Sequence, residues 1–290
     1  MQMKRGGAFP LNHSNGLLRK CFEGNNYYEE KLNHGRKCFI FFSGNGIFFP
    51  NDYETAETTL IKNNRYEWQN IAQNDLIRHQ AGKIIFLRDV YKQWYITGIN
   101  SEIDSIVKLF YFLREKTKGY EIITAGNSAG GYMAVLMGVL LSAKLVLNFS
   151  GQYVINPDKL DDGYYFIKKY QQDEIYSQFF DIRPFIEKNP AVPIMFFYPG
   201  KSDQDLQQNE FTKGIKNIFR FSFNTDKHGA SMHGMDMPCV IGTEPNILQN
   251  LCGIFSGKII DPNLFSLNLY WLHTLEYFRA RAFISAHMKS

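Results

Sequence analysis

The sequence predicts an α/β protein, a mostly parallel sheet with helices on both faces. Three observations predict it. Short apolar runs at Cys38–Phe42, Lys83–Leu87, Lys144–Phe149 and Ala191–Tyr198 have the composition of strands buried on both faces. Segments with helical spacing lie between several of them. The stretch Ile122–Gly138 then sets strand, tight turn and helix directly in series. A chain of 290 residues is expected to form one domain or at most two, and one such sheet uses most of it.

Residues 1–16 carry Gly, Pro, Asn and His and read as a loose lead-in. Leu17–Phe22 and Tyr27–Leu32 flank Glu23-Gly24-Asn25-Asn26, which signals an N-terminal hairpin. Cys38–Phe42 follows His34-Gly35 as a wholly apolar strand and ends in Ser43-Gly44-Asn45-Gly46. Tyr66–His79 has helical spacing through Trp68, Ile71, Ala72 and Leu76. Lys83–Leu87 is the next strand and runs into Arg88-Asp89-Val90-Tyr91-Lys92-Gln93-Trp94-Tyr95. Open α/β sheets bind ligands at the carboxyl ends of their strands. Trp94 and Tyr95 are therefore candidates to stack on a substrate ring; the alternative is that they pack the loop down. Ser101, with Asp104 three residues on, is expected to open a helix, and Ile103, Ile106, Val107, Phe110 and Leu113 form its apolar stripe.

That helix leads to Ile122–Gly138, I-I-T-A-G-N-S-A-G-G-Y-M-A-V-L-M-G. An apolar strand ends in Gly126-Asn127-Ser128-Ala129-Gly130, and a helix almost without charge follows. A bare G-x-S-x-G match is common, but in this setting it describes a nucleophile elbow. Gly126 and Gly130 remove side chains where strand and helix nearly touch. Ser128 is then at the tip with its Oγ exposed, and the Ala129 N–H, at the helix start, is aimed at a developing oxyanion.

On these residues the chain resembles the α/β-hydrolase superfamily. The match is specific at Gly126–Gly131, and the order of elements extends it from about residue 17 to about residue 255. In that family the loop after the third strand supplies a second oxyanion N–H. The resemblance thus implies a donor in Gly44–Gly46, with Asn45 as the candidate. The family commonly inserts a cap after its sixth strand. Residues 151–190, rich in Tyr, Asp, Lys and Gln, stand there, and a single amphipathic helix is the alternative. The family's acid follows the seventh strand, often as G-x-x-D. Gly200-Lys201-Ser202-Asp203 fits, so Asp203 is the expected acid. Asp205 is the alternative, and either one could cap the following helix. Phe219–Phe223 reads as the last core strand, and the family keeps its general base in the loop after it. His228 is the expected base and His233 the alternative; His13, His34, His79, His273 and His287 have no comparable position. The order Ser, Asp, His is that of this family. Ile247–Phe255 reads as a short helix, and 263–284 as a helix beyond the usual fold, marked by Leu264, Leu267, Trp271, Leu272, Leu275 and Phe278, then Arg279 and Arg281. We expect a single domain over 1–290, with a cap insertion at 151–190 and a helical extension at 257–290 that packs on the domain, the alternatives being a homodimer contact or weak docking on a membrane surface.

Composition excludes several classes. Net charge is +4 and dispersed, so nucleic acid is not an expected partner. The four cysteines, Cys21, Cys38, Cys239 and Cys252, form no C-x-x-C pair and read as buried reduced thiols. His228, His233 and Asp226 lack metal-site spacing, so no metal is expected. No apolar run is long enough to span a bilayer and no signal-peptide pattern opens the chain, which makes the cytoplasm the expected location.

The expected chemistry is acyl transfer through an acyl-serine on Ser128, ending in ester hydrolysis or in O-acyl (acetyl) transfer to a polar substrate such as a glycan. Hydrolysis needs no cofactor; transfer would take acetyl-CoA as acyl donor. More loosely, the elbow segment and the aromatic loop after Arg88-Asp89 resemble hydrolase-fold proteins of bacterial surface-polysaccharide biosynthesis, some of which are O-acetyltransferases. The sequence departs from lipase-like relatives in lacking an H-G-G-G oxyanion motif. A non-catalytic binding or scaffold protein of the same fold is the alternative.

Overall fold

Among the described residues, eight strands form one sheet in the order β1-β3-β2-β4-β5-β6-β7-β8. They are β1 (Tyr27–Lys31), β2 (Lys37–Phe42), β3 (Ala81–Leu87), β4 (Glu121–Asn127), β5 (Leu145–Phe149), β6 (Ile194–Pro199), β7 (Ile218–Phe223) and β8 (Ile259–Ile260). β1 pairs antiparallel with β3, and every other neighbouring pair is parallel. The computed structural model describes residues 16–32, 35–229 and 231–287, with side chains through Thr274. The lead-in 1–15, His13 and His34 lie outside the described residues, as do the side chains of Leu275, Phe278, Arg279, Arg281 and His287.

β2, β3, β5 and β6 are buried along their whole length, as continuous apolar runs require of strands covered on both faces. Their side chains alternate between two cores. Cys38, Ile40 and Phe42 join the helices Ile106–Lys116 and Ala129–Leu140; Phe39 and Phe41 join Trp68 and the helix Pro245–Phe255. The helix Ala129–Leu140 is buried from Ala129 to Val139, which explains its lack of charge.

Three expectations are corrected. Residues 17–22 are not a hairpin strand but part of the helix Gly16–Glu23. Leu18 and Cys21, three apart, bury one helical stripe against Ile47, Phe48, Val90 and Tyr91, and β1 takes β3 as its partner instead. Among the described residues the sheet thus begins one strand later than expected, and β2, β5 and β6 hold the places of the family's third, sixth and seventh strands. Second, the helix expected over Tyr66–His79 is two short ones, Gln69–Ala72 and Asp75–Arg78. Trp68 enters the first at φ 76°, and Asn74 caps the second by accepting from the Leu76 N–H. Third, the helix before the elbow starts not at Ser101 but at Ile106, capped by the Ser105 hydroxyl, which accepts from the Lys108 N–H. The helix Pro262–His287 packs on the sheet through Phe265, Leu269 and Leu272, while Leu264, Leu267 and Trp271 are exposed.

Residues 151–190 form an insertion between β5 and β6 made of short helical turns rather than one amphipathic helix. Tyr153, Ile155, Phe179 and Ile182 bury against the elbow helix in one core cluster, and the Tyr132 hydroxyl donates to the Phe179 carbonyl at 2.6 Å. Among the described residues no helix is long and apolar enough to cross a membrane.

Candidate active site

The elbow closes β4 against the helix Ala129–Leu140. A Cβ on Gly126 would lie 2.1 Å from the Gly130 carbonyl oxygen, and one on Gly130 would lie 2.2 Å from that of Phe42, so neither position admits a side chain. Ser128 between them is held at φ 54° and ψ −120°, a conformation costly to a residue with a side chain and kept by the packing around it. Its N–H donates to the Phe149 carbonyl at 2.9 Å. Ala129 is the first helical residue, so its N–H has no acceptor within the helix.

His228 stands on the loop after β7, with its Nε2 2.9 Å from Ser128 Oγ. Its Nδ1 lies 2.9 and 3.1 Å from the two carboxylate oxygens of Asp205. A carboxylate accepts only, so the proton belongs on Nδ1 and the Nε2 lone pair faces the serine hydroxyl. Asp205 is 2 % exposed at its side chain and His228 30 % exposed. The loop that carries His228 is tied down: the Gly229 N–H donates to Ser150 Oγ at 3.2 Å, and Ser231 Oγ donates to the Phe197 carbonyl at 3.3 Å.

Asp203 does not meet the histidine. It is the first residue of the helix Asp203–Phe211 and is exposed, whereas Asp205, third in that helix, is buried on its inner side. Ser202 rather than either aspartate caps the helix, its hydroxyl accepting from the Asp205 N–H. The spacing G-x-x-D pointed to the end of the strand, but the helix turns the later residue inward. His233 is also apart from Ser128, with its Nε2 3.1 Å from Asn263 Oδ1.

Trp94 and Tyr95 are not at a ligand surface. The whole segment 81–100 is buried. Trp94 donates from Nε1 to Gln152 at 2.9 Å and lies 5.0 Å from the Tyr164 ring, centroid to centroid. Tyr95 is 0 % exposed and donates to the Ser43 carbonyl at 2.8 Å. Asp89 ties the loop by accepting from the N–H groups of Tyr91, Gln93 and Tyr95. Burial pushes the Asp89 carboxyl up to about 6 and the Lys92 ammonium down to about 7. Lys92 donates to the Phe48 carbonyl at 2.7 Å and to Asn51. Arg88 Nε donates to Asn26 Oδ1 at 2.9 Å.

Asn45 begins a short turn, Asn45–Ile47, after β2. The preceding N–H, that of Gly44, is taken by the Glu67 carboxylate at 2.6 Å. Glu67, Ser150 and Ser231 have no motif around them; the only sequence trace of Ser150 is its place at the carboxyl end of an apolar strand.

No protein-family model matches the sequence, and no curated protein matches it. Solved structures do show likeness. The capsule O-acetyltransferase of Neisseria meningitidis serogroup A is 16% identical, with 70% of this chain and 85% of that chain covered and a TM-score of 0.49. Esterase B from Lactobacillus Rhamnosis in a phosphonate-inhibited form is 15% identical over 86% of this chain and 81% of that one, with a TM-score of 0.46. A fungal esterase from Rhizomucor miehei is 11% identical over 85% and 94%, with a TM-score of 0.46. The assignment of the fold stands on the chain's own topology. An antiparallel first strand is followed by parallel strands in crossed order, with an elbow serine after β4, a buried carboxylate after β6 and a histidine after β7. Parts in that order make this an α/β-hydrolase fold.

Proposed function

We propose that the protein is a serine-dependent acyl-transfer enzyme. The observation that carries this reading is the unbroken line from Ser128 Oγ to His228 Nε2 and from His228 Nδ1 to Asp205. A serine hydroxyl is a weak nucleophile at neutral pH and needs a base within hydrogen-bond reach. His228 takes the Ser128 proton as Oγ attacks the acyl carbon, then returns it to the leaving group. Asp205 fixes the tautomer and stabilises the imidazolium. The N–H groups of Ala129 and Asn45 receive the oxyanion. The acyl-serine is then discharged to water or to a hydroxyl acceptor.

A polar acceptor, with a glycan as the preferred class, is supported by the tyrosine-rich, polar make-up of 151–190, including exposed Tyr165 and the stacked pair Tyr170 and Tyr176, centroids 4.1 Å apart. The decisive experiment treats folded protein with a fluorophosphonate and locates the adduct. Labelling at Ser128, lost in Ser128→Ala, is the expected result. An unlabelled Ser128 would return the chain to the scaffold reading. Trapping the acyl-enzyme from acetyl-CoA or an acetyl ester, then measuring free acetate against acetyl-sugar with and without an oligosaccharide, separates hydrolysis from transfer. If acetate is the sole product across diverse glycans, the enzyme is an esterase.

A further inference from the structure

The loop that carries Asn45 is gripped from one side by residues 67 and 68. The Trp68 indole N–H donates to the Phe42 carbonyl at 3.1 Å, the Glu67 N–H donates to Ser43 Oγ at 3.3 Å, and Glu67 Oε2 accepts from the Gly44 N–H at 2.6 Å. Two adjacent residues thus hold three consecutive ones. The other side of the loop meets the elbow: a Cβ on Gly44 would lie 2.5 Å from the Asn127 carbonyl oxygen, the residue before Ser128. Tyr95 closes the group with its hydroxyl on the Ser43 carbonyl.

Gly44 is extended, at φ −81° and ψ 178°. Successive N–H groups of an extended chain point to opposite sides. Fixing the Gly44 N–H on Glu67 therefore turns the Asn45 N–H away from Glu67. Burial raises the Glu67 carboxyl above its usual range, against the Gly44 N–H and the Arg65 charge, which lower it. A group kept at that cost in a half-buried position, with no role in the proton path, is accounted for by the geometry it imposes.

We propose that Glu67 is a positioning residue: by holding the Gly44 N–H it aims the Asn45 N–H as the second oxyanion donor. This rests on the acyl-transfer reading. Removing an oxyanion donor outright costs about 10²–10³ in kcat. Misaiming one should cost less, about 10–100-fold, and should act on kcat because the oxyanion exists only after substrate has bound.

The test uses Glu67→Leu, Glu67→Asp and Glu67→Gln in the full chain, with p-nitrophenyl acetate as substrate and hydrogen exchange of the 43–47 amides as an independent readout. Glu67→Leu should lower kcat about 10–100-fold with KM within about twofold, and should speed exchange of the Gly44 amide. Glu67→Asp, one methylene short of Gly44, should show the same split more mildly and serves if the leucine variant fails to fold. Glu67→Gln keeps an acceptor in place and should restore kcat to within about threefold and protection of Gly44. A drop in melting temperature with kcat unchanged in folded protein overturns the proposal, as does a glutamine variant no better than leucine, or exchange that does not respond. If wild-type Ser128 takes no fluorophosphonate, the acyl-transfer reading fails and the oxyanion role falls with it. A labelled wild type with an unaffected Glu67→Leu instead overturns this inference alone.

Discussion

Two loops leave the carboxyl end of the sheet and end differently. The one after β3 is aromatic, wholly buried across residues 88–100 and wound through three left-handed non-glycine residues, Lys92, Trp94 and Tyr95. The one after β7, Asn224-Thr225-Asp226-Lys227-His228, is mostly exposed and polar. The first has the side chains that look ready for a ligand; the second holds the histidine against Ser128. Large rings next to a sheet lose more by staying in water than they gain by waiting for a ligand, and every buried polar atom they carry must find a partner. Trp94 finds Gln152, and Tyr95 finds Ser43. The His228 side chain stays 30% exposed, as the proposed role of base would require, since a base must reach its proton and its substrate.

Variants of the two loops should therefore separate turnover from stability. The largest effect belongs to Ser128→Ala and His228→Ala. Each should lower kcat by up to about 10⁶ with the melting temperature nearly unchanged, and the double variant should be hardly worse, because such groups act as a unit. Additive losses would mean that they do not share one step. Next is Asp205→Asn, which should cost about 10⁴ in kcat by losing the histidine tautomer. Asp203→Asn should stay within about threefold, since an exposed change away from the reacting groups alters little. A reversal of these two would mean that the helix turns in solution to present the other carboxylate.

In the buried loop the expected loss is in folding. Trp94→Ala should destabilise by about 3–5 kcal/mol in denaturant unfolding, with kcat and KM kept in the fraction that remains folded. A raised KM with stability intact would restore Trp94 to the substrate side. Tyr95→Phe, which leaves the buried Ser43 and Leu87 carbonyls without its hydroxyl, should cost about 1–3 kcal/mol.

The same buried loop also predicts a pH dependence of stability. Lys92 titrates at about 7 in the fold, below its unfolded value near 10.4. Between those values the unfolded chain binds the extra proton, so this group's contribution to stability rises as pH rises from about 7 to about 10. Asp89 titrates at about 6, above its unfolded value near 3.9. Its contribution is full below about pH 4 and is lost as pH rises to about 6. Unfolding curves of the wild type and Lys92→Met, compared across pH 5 to 10, should differ by a limb that rises above pH 7. A difference that is flat there would mean that Lys92 stays charged throughout.

The sequence alone determined what depends on neighbours along the chain. The apolar runs of β2, β3, β5 and β6 have the length and composition of buried strands, and G-N-S-A-G between an apolar run and a chargeless one reads as a tight turn with Ser128 at its tip. His228 was singled out by the resemblance, since it lies in a short polar loop directly after an apolar strand, where the family keeps its base, and only the structure places it rather than His233 against Ser128. Tertiary structure decided what depends on direction. Asp203 and Asp205 are two residues apart, and only the entry angle of their helix, set by the Ser202 cap and by packing on β6, turns the second inward. Residues 17–22 fit a strand or a helix equally by composition, and the apolar cluster waiting at Ile47, Phe48 and Tyr91 chose the helix. Trp94 and Tyr95 were ambiguous because a ring suits a ligand and a core alike, and the partners that claimed them, Gln152 and Ser43, are far along the chain. Glu67 left no trace at all in the sequence, because its contact with Gly44 spans 23 positions and no local pattern records a single long-range hydrogen bond.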